Sequence, residues 1–311
     1  MGDVQNSVMI IFAALLIGLG VSLNGLAAKV LLGFLKTEFG QTLRGFGLLN
    51  IGLNLAGIAA PLVGGWLLFL HEDRLLFYLA VAFYVLGMTV SRFLSSVQPT
   101  TPPVGSAISG ILGVFQAQDF TTLLFPVIVY WVLFSQMYVL IPLIGLRDLH
   151  FGSDNIGLLF SINGLIVVSL QMRSIKWTQG FAKSANQRVN TVLGLGLILN
   201  ILSLTLLLNV KGFIVPWVVI LGYSLAEVLV LPAMDSFAST LRTVVGVGAT
   251  SFLGVLSTVN GLGYLLGSYL GTALFGQPRI LWGLFTGLSL LGLSYLWILR
   301  RWPNDRRDGT D

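Results

Sequence analysis

The chain has 311 residues, of which 55% are hydrophobic and only 9% are charged, compared with about 25% charged in a typical soluble domain. This composition excludes a soluble globular protein, which could not bury so much apolar surface, and predicts a polytopic membrane protein. The net charge of +5 does not indicate nucleic-acid binding, because the basic residues lie in separate short segments.

Apolar runs of 18 to 27 residues, without strict alternation, predict membrane helices rather than a β-barrel. The predicted fold class is therefore all-α, a polytopic membrane helix bundle. Nine transmembrane helices are expected, at about 8–30, 46–69, 75–95, 121–146, 155–172, 190–209, 213–234, 249–275 and 280–299.

The second predicted span carries a ridge of small residues. Gly52, Ala56, Ala60 and Gly64 recur every fourth position and therefore share one helix face, so we expect a neighbouring helix to pack closely there. Pro61 and Gly65 belong to the same motif, and Pro61 is expected to kink the helix. Asn54 is the polar residue at mid-depth.

Residues 96–119 form the long connection of the chain. Ile108, Ile111, Leu112 and Phe115 have helical spacing after three prolines, which fits an amphipathic helix on the inner membrane face, and an ordinary flexible linker fits as well. The predicted domains are a partial N-terminal bundle (1–95), this cytoplasmic linker (96–119), a C-terminal six-helix bundle (120–300) and a basic cytoplasmic tail (301–311).

The chain contains an internal repeat. Val259, Gly263, Gly267 and Gly271 follow the first ridge by 207 positions, and the segments before the two ridges also correspond. Parallel repeats of six helices are a known transporter plan. Six helices follow the linker and three precede it (3 + 6), so we expect a twelve-helix design without its first three helices.

The distribution of basic residues predicts the orientation. With the N-terminus outside and the C-terminus in the cytoplasm, 13 of the 17 Lys and Arg residues lie on the inner side, as the positive-inside rule requires.

The chain resembles the major facilitator superfamily, nearest to its drug/proton antiporter type of multidrug exporter. Ala56-x3-Ala60-Pro61-x2-Gly64-Gly65 is similar to the antiporter motif of that family's helix five, with alanine in place of both leading glycines. Four later segments resemble helices seven, eight, ten and eleven, respectively: Gln136-Met137-Tyr138 with Pro142, residues 156–165 with Gln171, Glu227 with Pro232-Ala233, and Gly261 to Gly271.

The resemblance implies a secondary active transporter of the bacterial inner membrane that exports small amphiphilic molecules by proton-coupled alternating access. Its expected partners are the lipid bilayer, a small-molecule substrate and protons. The loop from Arg173 to Arg188 lacks the acidic residue of the family pattern. The alternative is a truncated non-transporting protein, or a subunit or scaffold whose partner chain supplies the missing helices.

Polar residues within the spans are the candidate functional residues. Glu227 is the proton-coupling candidate; its carboxylate must be protonated, paired or facing water, and a structural hydrogen bond or salt bridge is the other interpretation. The candidates for a substrate cavity are Asn54, Tyr130, Gln136, Tyr138, Asn163 and Asn260, and interhelical hydrogen bonding is the alternative role for the asparagines.

The remaining charged candidates are assigned to cytoplasmic loops: Arg44, Arg173, Lys176, Asp235 and Arg242. We expect Asp235 to brace its loop through Arg242, and we expect Lys29 to extend into the headgroups without a functional role. No phosphate-binding loop, nucleophile–base pair or metal-ligand spacing is present in the sequence. We therefore predict no enzymatic activity, no cofactor and no metal site.

Overall fold

The computed structural model describes residues 2–35, 39–69, 73–94, 107–181, 184–241 and 248–301. Within these ranges all regular secondary structure is helical. The helices are α1 Gly2–Leu35, α2 Phe39–Phe69, α3 Asp73–Leu94, α4 Ala107–Val114, α5 Gln118–Phe134, α6 Gln136–Arg147, α7 Ser153–Gly180, α8 Ala185–Asn209, α9 Val215–Thr240, α10 Ala249–Ala273 and α11 Pro278–Arg301.

The all-α membrane fold is confirmed. Eight helical segments among the described residues are long and apolar enough to cross a membrane, with α5 and α6 together counted as the single segment Gln118–Arg147. The remaining predicted span, 249–275, corresponds to α10, which is 25 residues long but rich in Gly, Ser and Thr, so it is less apolar than the others.

Several helices extend beyond their apolar spans. α2 begins at Phe39, α7 continues to Gly180 and α9 to Thr240, because hydropathy marks only the part of a helix that matches the hydrocarbon core. The assignment of charged residues to loops was therefore wrong for four positions, which lie within helices: Arg44, Arg173, Lys176 and Asp235. Arg242 lies outside the described residues.

The buried core lies among α5 to α11, and α2 packs against α7 and α9 at one side of it. The apolar segments of α1 and α3 are largely exposed. Exposed apolar side chains suit a helix in lipid, where they carry no hydrophobic penalty.

The small-residue ridge of α2 does not make the predicted helix contact. Gly52, Ala56 and Ala60 are exposed, and no atom lies within 4 Å of the position of a Cβ at Gly52. Only the backbone is described for Pro61, Gly64 and Gly65. α2 instead approaches α7 through another face, where a Cβ on Gly164 would lie 3.0 Å from the backbone oxygen of Asn54.

The corresponding ridge of α10 does face another helix. A Cβ at Gly263 would lie 2.9 Å from the backbone oxygen of Ile128, and the Cβ positions of Gly267 and Gly271 face Val132 and Gln136. Glycine at these three positions therefore allows the backbones of α10 and α5–α6 to come close.

Part of the predicted linker is a packed helix. Residues 107–114 form α4, whose last residue, Val114, is fully buried. The Cβ position of Gly110 faces the side chain of Ser251, so α4 lies against the first turn of α10. Residues 95–106 lie outside the described part of the chain.

Candidate functional site

Glu227 lies where α2, α7 and α9 meet, and its side chain is almost fully buried, with 5% of the residue exposed. Asn54 of α2 donates its side-chain amide to Oε1 of Glu227 at 2.9 Å. Asn163 of α7 donates to Oε2 at 3.2 Å. One carboxylate thus joins a helix of the N-terminal segment to two helices of the C-terminal segment.

Four further side chains extend these contacts along the same three helices. Asn163 also donates to Oγ of Ser224 at 2.9 Å, and Asn50 donates to Oε1 of Gln171 at 2.8 Å. Gln171 and Ser174 both donate to the backbone oxygen of Val228 at 2.9 Å. We call the following set the Glu227 network: Asn50, Asn54, Asn163, Gln171, Ser174, Ser224 and Glu227.

The Glu227 network suits a group that gains and loses a proton. An ionised carboxylate only accepts hydrogen bonds, which matches the two amide donors, whereas a protonated one also donates. A side-chain amide carries both a donor and an acceptor, so rotation of Asn54 or Asn163 would offer the protonated carboxyl an oxygen. Within the described residues, no basic side chain forms an ion pair with Glu227.

A second charged group lies further along α9. Lys29 of α1 places its Nζ 3.0 Å from Oδ1 and 2.9 Å from Oδ2 of Asp235. The side chains are 23% and 11% exposed. This pair corrects one expectation, because Lys29 has an ionic partner instead of extending alone into the headgroups. The expected contact of Asp235 with Arg242 lies outside the described residues. The sequence could not indicate the pair, since its members are 206 positions apart.

A cavity of about 690 Å³ lies between α1, α9 and α10. Most of its wall is apolar, and Trp131 of α5 closes part of it. Lys29 and Asp235 are the charged residues among its described lining. Asn260 also lines the cavity, and its side-chain oxygen is buried without a hydrogen-bond partner.

The other cavity candidates have different surroundings. Gln136 is fully buried and donates to the backbone oxygens of Val132 and Gly267, both at 2.8 Å, and thus joins α6 to α10. Tyr130 is also fully buried and stacks on Phe134. Neither of them is among the described residues that line the cavity.

Tyr138 is the partly exposed aromatic candidate. It is 43% exposed and lies parallel to the ring of Phe160 of α7, with 5.4 Å between the ring centroids. The ring of Tyr264 of α10 is 6.1 Å away. Tyr138 therefore joins three helices through their aromatic side chains.

The structure brings together three of the predicted site residues, Glu227, Asn54 and Asn163, and places Asn260 apart from them in the cavity. Sequence reasoning missed four members of the Glu227 network. Asn50 precedes Asn54 by one helical turn, which was a usable signal because both lie on one face. Gln171 was noted in the sequence only as part of the segment that resembles helix eight. For Ser174 and Ser224 no comparable signal exists, since single polar residues of this kind are common in membrane helices.

Comparison with known proteins identifies a family. A family model described as Major Facilitator Superfamily matches residues 2–253, which is well over half of the chain. No curated protein shows significant similarity to it.

Proposed function

The chain belongs to the major facilitator superfamily, whose members are transporters and not enzymes, and from this premise we propose that it exports small amphiphilic molecules in exchange for protons. The protein is thus a secondary transporter in a lipid bilayer. The proposed location is a bacterial inner membrane, with the N-terminus outside and the C-terminus in the cytoplasm.

The observation that carries the proton-coupling proposal is the position of Glu227. It is a buried acid held by amides from both sides of the junction between α2 and the pair α7 and α9. Its ionised form holds the donors of Asn54 and Asn163 together, and protonation removes one acceptor site from that contact. Gain or loss of a proton therefore changes how strongly α2 is held against the C-terminal helices.

Alternating access supplies the link between this contact and transport. In such a mechanism two helical bundles rock against each other around the substrate site. We assign α1 to α3 to one bundle and α5 to α11 to the other, as the sequence predicts. The Glu227 network crosses the division between these two bundles. Protonation of Glu227 would therefore change a contact between the bundles, as coupling of proton transfer to their movement requires.

The test uses purified protein in proteoliposomes with an imposed pH gradient and a panel of neutral, cationic and anionic amphiphilic dyes. We expect the native protein to accumulate at least one dye when the gradient is imposed. Glu227→Gln should abolish this accumulation while retaining exchange of labelled for unlabelled dye, because exchange needs no net proton transfer.

The control variant is Gln136→Asn. It shortens a buried side-chain amide that contacts α10 and does not belong to the Glu227 network. It should keep its dependence on the gradient. Gradient-driven accumulation by Glu227→Gln at the native rate would overturn the assignment of Glu227 to proton coupling.

A further inference from the structure

We propose that the outer surface between α2 and α7 binds an anionic phospholipid, whose phosphate lies between Arg44 and Lys176. The inference concerns lipid binding and does not depend on the proposed transport. Three observations support it: the two basic residues lie at one depth on one side of the helix pair, neither contacts an acidic residue in the described part of the chain, and an apolar strip continues from them along the same side.

The depth of the two basic residues follows from the packing of α2 against α7. The Cβ position of Gly40 faces the side chain of Gln179, and that of Gly164 faces the backbone of Asn54. The start of α2 therefore lies against the end of α7, and the two helices are antiparallel. This alignment puts the following pairs at matching depths, in order from the start of α2: Arg44 with Lys176, Leu48 with Met172, and Leu55 with Leu165.

Arg44 and Lys176 also lie on the same side of this helix pair. The Cβ position of Gly47 faces the side chain of Ile175, so these two residues mark the line of contact. At about 100° of rotation per residue, Arg44 lies about 60° around α2 from Gly47, and Lys176 lies about 100° around α7 from Ile175. Both rotations have the same sense, and in antiparallel helices this places the two residues on the same side.

Helix α9 covers the other side of the pair. Thr42 of α2 shares a hydrogen bond with Ser236 of α9, and Ser174 of α7 donates to the backbone oxygen of Val228 of α9. Both Thr42 and Ser174 are fully buried. The side that carries Arg44 and Lys176 is exposed, so it faces the surrounding lipid.

The charges on the exposed side call for an anion. In the described part of the chain, neither Arg44 nor Lys176 forms an ion pair with a carboxylate. The segment from Arg173 to Arg188 contains no acidic residue, so the end of α7 supplies no counter-charge. Basic sites between membrane helices recognise anionic lipid headgroups. A phosphodiester with no cation of its own fits two basic residues better than a zwitterionic headgroup does.

The apolar strip identifies the anion as a lipid. Leu48, Leu55, Leu165 and Met172 are between 43% and 58% exposed, on the same side as the basic pair. Leu55 lies about 16 Å along α2 from Arg44, which is close to half of a hydrocarbon core of about 30 Å. An acyl chain attached to the phosphate would cover this strip, whereas a soluble phosphate compound would leave it uncovered.

The experiment measures binding of the first lipid to the full chain in a neutral detergent by native mass spectrometry. Dioleoylphosphatidylglycerol is the anionic probe, and dioleoylphosphatidylcholine has the same chains with a zwitterionic headgroup. One basic residue near a phosphate contributes about 5-fold in affinity. We therefore expect the native protein to prefer the anionic lipid by about 5- to 25-fold.

The variants locate the preference. Arg44→Gln combined with Lys176→Gln should remove most of it, whereas Arg44→Lys combined with Lys176→Arg keeps both charges and should retain it. The matched control is Arg279→Gln combined with Arg300→Gln, which removes the same net charge from exposed residues at the two ends of α11. This control should bind the anionic lipid as the native protein does.

Three results would overturn the inference. Equal affinity of the native protein for both lipids would mean that the surface does not select an anion. An equal loss of preference in the α11 control would mean that net charge, and not this site, attracts the lipid. Displacement of the lipid by an equal concentration of glycerophosphoglycerol, which has the headgroup without the chains, would assign the site to a soluble phosphodiester.

Discussion

The hydrogen bond between Asn54 and Glu227 leads to a quantitative prediction about how α2 is held. We consider the double-mutant cycle of Asn54→Ala, Glu227→Ala and the variant with both changes. The two side chains are joined at 2.9 Å, so each single substitution removes the same contact. The stability losses of the single variants should therefore add to more than the loss of the double variant.

The expected coupling energy follows from the type of bond and its surroundings. Hydrogen bonds to charged groups contribute about 1.5 to 3 kcal/mol in proteins, while measured cycles between membrane helices average about 0.6 and reach about 1.7 kcal/mol. The Asn54 bond of 2.9 Å joins two helices at a carboxyl group that is largely shielded from water, so it should lie near the upper membrane value. We expect a coupling of about 1 to 2 kcal/mol.

The assay is reversible unfolding in mixed micelles, with increasing denaturing detergent and helical circular dichroism as the signal. The control cycle pairs Glu227→Ala with Asn190→Ala. Asn190 is buried in α8, and its side-chain amide donates to Oδ1 of Asn186 in the same helix. The control should be additive within about 0.5 kcal/mol, and additivity in the Asn54 cycle would refute the proposed contact.

Two further predictions concern helix packing and use matched glycines as controls. Gly263→Val should destabilise the fold by about 1 to 3 kcal/mol, because its Cβ would lie 2.9 Å from the backbone oxygen of Ile128. The matched control is Gly287→Val, where no atom lies within 4 Å of the Cβ position; it should cause no such loss, and thermal unfolding in detergent compares the two. Gly164→Val should push α2 away from α7 and lower transport of the dye panel, whereas Gly52→Val, at an open position, should transport normally. Equal rates for the last two variants would mean that the contact at Gly164 has no part in transport.

The sequence by itself determined the class of protein and the positions of its helices along the chain. The length and apolar composition of each span depend on the residues of that span alone, because a helix satisfies its own backbone hydrogen bonds in lipid. The nine predicted spans accordingly all correspond to helices of the structure. The motif from Ala56 to Gly65 and the later segments also led to the family whose model matches the chain.

The candidate site was only partly accessible in this way. Glu227 stands out because an acid in an apolar span is rare and costly, and Asn54 and Asn163 stand out as polar residues in spans of their own. Their meeting at one carboxylate depends on which faces of α2, α7 and α9 turn towards each other. No local pattern specifies that choice.

Tertiary structure alone decided the two remaining questions, which ridge packs and which charges pair. The ridges at Gly52 and Gly263 have the same spacing, yet the first is exposed and the second lies against α5. A stripe of small residues permits close approach but does not create it, because exposed apolar faces carry no penalty in lipid. Lys29 and Asp235 likewise pair only because α1 crosses α9 at that level, a relation between segments far apart in the chain.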